Sequence, residues 1–344
     1  MKEHYIIPIF VSQLTMKSNS ILYRNDSSEQ KTSITKEKVR EIIENYLKNV
    51  ENEEAKVEIV FCGGSFTAIE EEKQEELLNI AYEYIENRKV DSIRILANAD
   101  EVNKELLKKL KRYKVKTIEL ETPSTNDYIL KRIGEKYNLQ DIKKASKMIK
   151  WNGFRLGYHM MVGLPESTRI DEVNTAKELI KLKPKMVRIY TTLVIKNTQL
   201  EKEYEEGKYK PLSIVQAVEI CKDLVRMFAD KNIDILNVGI SAEDEAELNK
   251  TSKIISGPCH PAFRQLVESA MWYDAIVEKI KKLNVKVKEV EVTVNPKDSD
   301  NVIGHKKENV QKLKELYDVD LVLNQNEKIK QGKSKIDITK TYED

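Results

Sequence analysis

Val57-Glu-Ile-Val-Phe-Cys-Gly-Gly-Ser-Phe-Thr-Ala-Ile69 runs from a β-branched strand, through two glycines, towards a helix opening near Glu70. Strand, tight turn and amphipathic helix in that order make one βα unit. The same order recurs on both sides of it. Strand-like runs fall at Tyr5–Val11, Val57–Cys62, Ser92–Leu96, Val115–Leu120, Leu156–Val162 and Val187–Val194. Helical patterns lie between and after them, at Thr35–Leu47, Glu70–Asn87, Val102–Tyr113, Gln140–Trp151, Ile170–Leu182 and Ser213–Ala229. In the first of these, Val39, Ile42, Ile43, Tyr46 and Leu47 have the i, i+3, i+4, i+7, i+8 spacing of one buried face. In the last, Ser213-Ile-Val-Gln216 is a capping-box pattern. Strands joined through helices must pair in parallel, by right-handed crossovers. Six such units predict an α/β fold, either an open doubly wound sheet or an incomplete (β/α) barrel. Periodicity does not choose between them.

After about residue 230 the rhythm breaks. Ile233–Ile240 reads as one more strand, and Pro261–Leu283 as a helix with Phe263, Leu266, Val267, Ala270, Tyr273 and Val277 on one face. Val285–Val294 alternates as a half-exposed strand. A loop (Asn295–Asn301), a helix (Gly304–Tyr317), a strand (Val319–Leu323), a Lys-rich turn and a last strand (Ser334–Thr339) follow. The expected division is a βα domain over residues 1–240, a linking helical extension over 241–284 and a small α+β module over 285–344.

The chain has 344 residues, 40% apolar and 34% charged, with Lys+Arg 59 against Asp+Glu 57. That balance supports a large core and argues against a uniformly basic nucleic-acid coat. No stretch has the run of about 18 apolar residues that a membrane span needs, and MKEHYIIPIF lacks the marks of a signal peptide. A cytoplasmic protein is expected. Three cysteines, Cys62, Cys221 and Cys259, stand far apart, which excludes a disulfide framework and a Cys-rich metal site.

In parallel βα folds the loops at the carboxyl ends of the strands carry function. Two stand out: the long polar Ser12–Asn25, and Gly63-Gly64-Ser65, where missing side chains let a ligand approach the backbone. From spacing alone a plain strand-to-helix turn with a Ser/Thr cap is the favoured reading of the second.

His4-Tyr-Ile-Ile-Pro-Ile-Phe-Val11 and Phe61-Cys-Gly-Gly-Ser-Phe-Thr-Ala-Ile69 resemble radical S-adenosylmethionine (SAM) proteins related to the Elongator catalytic subunit, nearest the short bacterial branch without an acetyltransferase domain. Met160-Met-Val-Gly-Leu-Pro165, Arg188-Ile-Tyr-Thr-Thr-Leu-Val-Ile-Lys196, Glu205-Glu-Gly-Lys-Tyr-Lys-Pro-Leu212 and Gly257-Pro-Cys-His-Pro-Ala-Phe-Arg-Gln-Leu-Val-Glu-Ser269 extend the resemblance over nearly the whole chain. It implies a partial (β/α)6 barrel. It also implies a Cys-x3-Cys-x2-Cys loop after the first strand, whose thiolates hold a 4Fe–4S cluster that cleaves SAM to a radical.

Laid on this chain, the three cluster positions fall at Met16, Ser20 and Tyr23, none a thiol. Neighbouring polar segments also depart from the family pattern. Leu96-Ala-Asn-Ala-Asp100 stands for Ser-Thr-Arg-Pro-Asp, Glu119-Leu-Glu-Thr-Pro-Ser124 for Glu-Leu-Gly-Val-Gln-Ser, and the Arg-Gly-His-Thr stretch is replaced near Glu135–Asn138. Gly63, Gly64 and Ser65 survive as a vestigial SAM turn. The expectation is therefore a degenerate member, a pseudoenzyme with no catalytic residue, metal or cofactor. Two alternatives stand beside it: an active tRNA wobble-uridine enzyme using SAM and a 4Fe–4S cluster with non-standard ligation, and a protein-binding scaffold. Deliberate removal of the ligands is disfavoured, because Met, Ser and Tyr are not a uniform replacement.

Val302-Ile-Gly-His-Lys-Lys-Glu-Asn-Val-Gln-Lys-Leu313 resembles the core of a KH domain, in which a Gly-x-x-Gly turn clamps a nucleotide backbone. Lys307 replaces the second glycine. Gly304, Lys306, Lys307, Lys328, Lys330, Lys333 and Lys335 are the candidate RNA-binding residues, with tRNA as the class the resemblance suggests and a protein partner as a further expectation. Several other residues have simpler readings. His159 fits a hydrogen-bonded core histidine, His260 a capping turn and Cys221 the core. Arg188 and Lys196 fit either an anion contact or a salt bridge, and Arg264 could reach the barrel mouth.

Overall fold

A computed structural model describes residues 4–11, 20–22, 34–52, 54–240, 253–283 and 285–342. The chain forms two compact units, Met1–Leu212 with Leu224–Pro258, and Ser213–Asp223 with Cys259–Asp344.

The first unit is built on seven parallel strands: β1 (His4–Phe10), β2 (Lys56–Cys62), β3 (Ser92–Ala97), β4 (Val115–Glu121), β5 (Arg155–Val162), β6 (Met186–Thr191) and, after a two-residue β7 (Val194–Ile195), β8 (Asp234–Val238). Their order in the sheet is β1-β2-β3-β4-β5-β6-β8. Sequential order with every pair parallel is the open, partial barrel that the resemblance implied. Helices α1 (Lys36–Leu47), α2 (Glu71–Glu86), α3 (Lys104–Arg112), α4 (Asp127–Arg132), α5 (Leu139–Trp151), α6 (Arg169–Lys181), α7 (Gln199–Glu205) and α8 (Ile214–Ala229) supply the connections.

Local chemistry fixes their ends. Thr35, Asn103 and Asn126 each cap a helix through a side-chain oxygen, and Asn138 with Asp141 and Thr168 with Asp171 form reciprocal capping boxes. Val39 and Ile43 of α1 are fully buried, each worth about 1.5–3 kcal/mol of transfer free energy.

The run read as one strand over Val187–Val194 divides. β6 ends at Thr191, and β7 leaves the barrel sheet to pair antiparallel with β9 (Ile254–Ser256). Gly257 explains the close return of that segment, since a Cβ there would lie 3.0 Å from the Thr192 carbonyl oxygen.

In the second unit β10 (Val287–Val294) is central. It lies parallel to β11 (Asp320–Gln325) and antiparallel to β12 (Ser334–Thr341). Helices α9 (Phe263–Lys281), α10 (Ser299–Ile303) and α11 (Glu308–Tyr317) complete it. Ile276, Val277 and Ile280 of α9 share one core with Val290, Val292, Val294, Val302 and Leu313. The helix read as a linking extension therefore belongs to the small module's own core.

The Asn295–Asn301 loop is instead a 3₁₀ turn, Pro296–Asp298, running into α10. Asn295 accepts from Lys297 N and Pro296 sits at the first helical position, a start signal the spacing had carried. Conversely, α11 begins at Glu308 rather than Gly304. Gly304 (φ +84°), Lys306 (φ +52°) and Lys307 (φ +65°) have left-handed backbones that a helix excludes. Among the described residues no helix is long and apolar enough to cross a membrane.

Candidate functional site

Charged side chains occupy one face of the barrel sheet. Glu58 (β2), Arg94 (β3), Glu119 (β4), His159 (β5) and Arg188 (β6) occur at alternating strand positions, so they project to the same side. Arg94 is 2% exposed. It donates from Nε to Glu58 at 2.9 Å and from Nη1 to Glu119 at 2.7 Å. Glu119 also receives Arg188 Nε at 3.0 Å and pairs with His159 Nε2. Burial works against charge on Glu119, but Arg188, His159 and Arg94 outweigh it and hold its carboxyl well below the usual range. Arg188 is thus engaged as a salt bridge, and His159 as a hydrogen-bonded strand histidine. Composition hid this network, because isolated charges inside β-branched runs look like noise until adjacent strands align them.

At the carboxyl ends of the strands the Gly63-Gly64-Ser65 turn closes β2. Gly63 is exposed with φ +80°, whereas Ser65 is 5% exposed. The Ser65 hydroxyl lies 2.9 Å from that of Thr67, and Thr67 donates to Glu101. Both hydroxyls are therefore engaged within the protein.

Glu101 leads to a group of carboxyls that sequence reasoning did not assemble. Burial, then Glu135 and Glu101, push the Glu121 carboxyl up to about 8. Burial pushes Glu135 up to about 7, with Asp100 adding repulsion and the nearby Ser20 and Tyr137 side chains acting in the lowering direction. Ser20 is 2% exposed, and the chain beside it is fastened to the α4–α5 connection by Ile21 N donating to Ile133 O at 2.9 Å. Asp100, Glu121, Glu135 and Ser20 come from separate segments, which the fold gathers at one end of the barrel. Met16 and Tyr23 lie outside the described residues.

The cysteines do not gather. Cys62 ends β2 and its thiol points to the Ile9 carbonyl at 3.8 Å, while Cys221 and Cys259 belong to the other unit. Among the described residues no three His, Cys, Asp or Glu side chains group so as to hold a metal ion.

In the small module Gly304 is required by close approach, since a Cβ would lie 2.9 Å from Asn309 N. Lys306 and Lys307 follow it, exposed. The Lys-rich turn is fastened to the other end of α10 by Gly332 N donating to Asp298 at 2.8 Å and Asn295 Nδ2 to the Ile329 carbonyl at 2.9 Å. Five residues of helix span about 7.5 Å, the length of α10 between Asp298 and the Gly304 turn. Lys328, Lys330 and Lys333 are exposed, while Lys335 pairs with Asp337 at 2.7 Å. His260 Nδ1 accepts from Ala262 N at 3.0 Å, a local cap, and Arg264 pairs with Glu268 at 2.8 Å.

Comparison with known proteins gives these features a lineage. The Radical SAM superfamily profile matches residues 23–179 and the Radical_SAM C-terminal domain profile residues 184–273. A tRNA uridine(34) acetyltransferase of Methanocaldococcus infernus is 25% identical over 185 residues, 48% of this chain and 35% of its own length. Its counterpart in Methanocaldococcus jannaschii is 33% identical over 106 residues, 30% of this chain and 20% of its own length. Human Elongator complex protein 3 is 24% identical over 194 residues, 51% of this chain and 36% of its own length. The chain thus spans about a third or less of the length of these relatives. The solved structure of Methanocaldococcus infernus Elp3 with an N-terminal deletion superposes with a TM-score of 0.58 at 21% identity, over 81% of this chain and 64% of that one.

The Radical SAM match corrects the expectation that no cofactor is to be expected, because a domain of that superfamily is one that takes SAM and a 4Fe–4S cluster. The residues fit the two groups unequally. An exposed glycine turn beside carboxyls suits the ammonium and sulfonium of SAM. The three-thiolate donor set of the cluster is not gathered among the described residues. With one profile over the barrel and the other over the segment that follows, the chain belongs to the radical SAM superfamily and is related within it to the Elongator proteins.

Proposed function

We propose that this protein is a degenerate Elongator-related member that holds SAM at the Gly63 turn and RNA of the tRNA class on its small module, without cleaving SAM by itself. The observation that carries this reading is the barrel mouth. Ser20, buried at a position where the resemblance lays a thiolate, lies near Glu135, whose carboxyl Asp100 repels and which in turn repels that of Glu121. Carboxyls oppose an anionic thiolate cluster and favour a cationic ligand. RNA binding is supported by the β10-α10-α11-β11 order around Gly304, by the exposed Lys306 and Lys307, and by relatives whose names state action on tRNA. A KH-like assignment of the module and a cytoplasmic site of action go with this reading.

Equilibrium dialysis against labelled SAM, with a tRNA gel shift over a salt series, tests both halves. Wild type is expected to retain SAM and Gly63→Val to lose it, because a β-branched residue is strained at φ +80°. Lys306→Ala with Lys307→Ala is expected to weaken tRNA binding and flatten its salt dependence by about two phosphate contacts. Absence of SAM binding, or unchanged tRNA affinity in the double variant, refutes the corresponding half.

A further inference from the structure

We infer that the end of the barrel opposite the cofactor mouth is a second RNA-docking surface; this rests on the reading that the protein binds RNA. Three connections there carry charge of one sign: Lys111-Arg-Tyr-Lys-Val-Lys116, Lys150-Trp-Asn-Gly-Phe-Arg155 and Lys181-Leu-Lys-Pro-Lys185. They lead into β4, β5 and β6, which are parallel neighbours, so the three lie side by side. They also touch. Lys111 Nζ donates to the Asn152 carbonyl at 3.5 Å and Lys150 Nζ to the Leu182 carbonyl at 2.7 Å. Together they hold nine Lys and Arg, all exposed, and no Asp or Glu. In a chain with 59 basic and 57 acidic residues, that is a strong local segregation.

The ordinary explanation covers only part of it. Cations in the last turn of a helix complement its dipole, which accounts for Lys111, Arg112, Lys150 and Lys181. It does not account for Lys116 and Arg155 on strands, or Lys185 just before one. Nor does it account for Lys114 (φ +58°) and Lys183 (φ +53°), which hold the left-handed positions after α3 and α6 where glycine is least costly. Elsewhere on the same rim charge is balanced. A groove of about 800 Å³ beside the start of β2 sets Lys48, Lys56, Arg88 and Lys89 against Glu44, Glu54 and Asp91.

Trp151 points the patch towards RNA. It ends α5 between Lys150 and Asn152 and is 87% exposed. Phosphates taken by lysines, with a base stacked on an aromatic ring, is the chemistry of single-stranded and looped nucleic acid.

Trp272→Phe leaves Trp151 as the reporter of the chain's two tryptophans. Titrating that full-length protein with tRNA, or with a short oligouridylate, is expected to quench Trp151 emission. Lys114→Glu, Lys116→Glu, Arg155→Glu and Lys183→Glu together are expected to weaken RNA binding at least about tenfold and lower the salt slope by about three. The matching set of Gln substitutions should give a smaller loss, and circular dichroism checks that both sets fold. Trp151→Ala should lower affinity and Trp151→Phe restore it.

RNA binding within about twofold of wild type by the charge-reversed protein, with Trp151 emission unmoved, overturns the inference. So does protection of Trp151 by phosphatidylserine vesicles but not by RNA. If Lys306→Ala with Lys307→Ala binds as wild type while the barrel variant does not, the module reading fails and this one stands. The reverse pattern overturns this one, and no RNA binding by wild type overturns both.

Discussion

Arg94 shows how much of this barrel depends on single charges. It is 2% exposed, between Glu58 and Glu119, themselves nearly buried. Arg94→Met takes from Glu58 its buried cation and leaves Glu119 with Arg188 and His159, and removing one partner of a buried pair costs about 3–5 kcal/mol. Urea unfolding of the variant should show that loss; a change below about 1 kcal/mol would contradict it.

Glu172 behaves oppositely. It is 4% exposed, accepts from Gly163 N at 2.6 Å, and burial pushes its carboxyl up to about 7 from 4.5. The folded protein then keeps a proton that the unfolded chain releases, so stability falls as pH rises from about 4.5 to 7. The ceiling on this effect is about 3 kcal/mol. Glu172→Gln should be more stable than wild type at pH 8 and close to it at pH 4.5, read as the difference between the two urea midpoints.

The same logic gives ligand binding a sign. A cation at the mouth favours ionised Glu121 and Glu135, so SAM affinity should rise by about tenfold between pH 6 and 8 as binding expels a proton. Isothermal titration in buffers of different ionisation heat detects that release. None of these carboxyls stood out in the sequence. Their importance comes from burial and neighbours, which periodicity does not report.

Elements were far more legible. Apolar spacing located six barrel strands and the helices between them because each buries one continuous face. The misreadings have local causes. α4 and α7 have only six and seven residues, too short to show a period. β7 was absorbed into β6 because Thr191–Val194 is β-branched throughout except for Leu193. The helix expected from Gly304 starts late because three left-handed residues precede it. That turn yields a paired prediction. Gly at position 307 relieves a left-handed lysine, so Lys307→Gly should stabilise the module by about 1 kcal/mol while weakening RNA binding. Thermal melts and gel shifts on the same preparation check both directions, and a loss of stability would count against the strain argument.

At the scale of the molecule, the seven parallel strands in sequential order give the partial barrel of the superfamily. Ser12–Asn25 and Gly63–Ser65 stood out as candidate loops from position alone. The carboxyl group at Asp100, Glu121 and Glu135 was not visible as a group, because the three residues are far apart in sequence. The proposal that this framework keeps SAM without breaking it is tested by measuring 5′-deoxyadenosine by mass spectrometry after anaerobic iron and sulfide treatment, reduction with dithionite, and incubation with SAM and tRNA. Bound, intact SAM and no 5′-deoxyadenosine above the protein-free control are expected. Accumulation of 5′-deoxyadenosine in proportion to protein would contradict it.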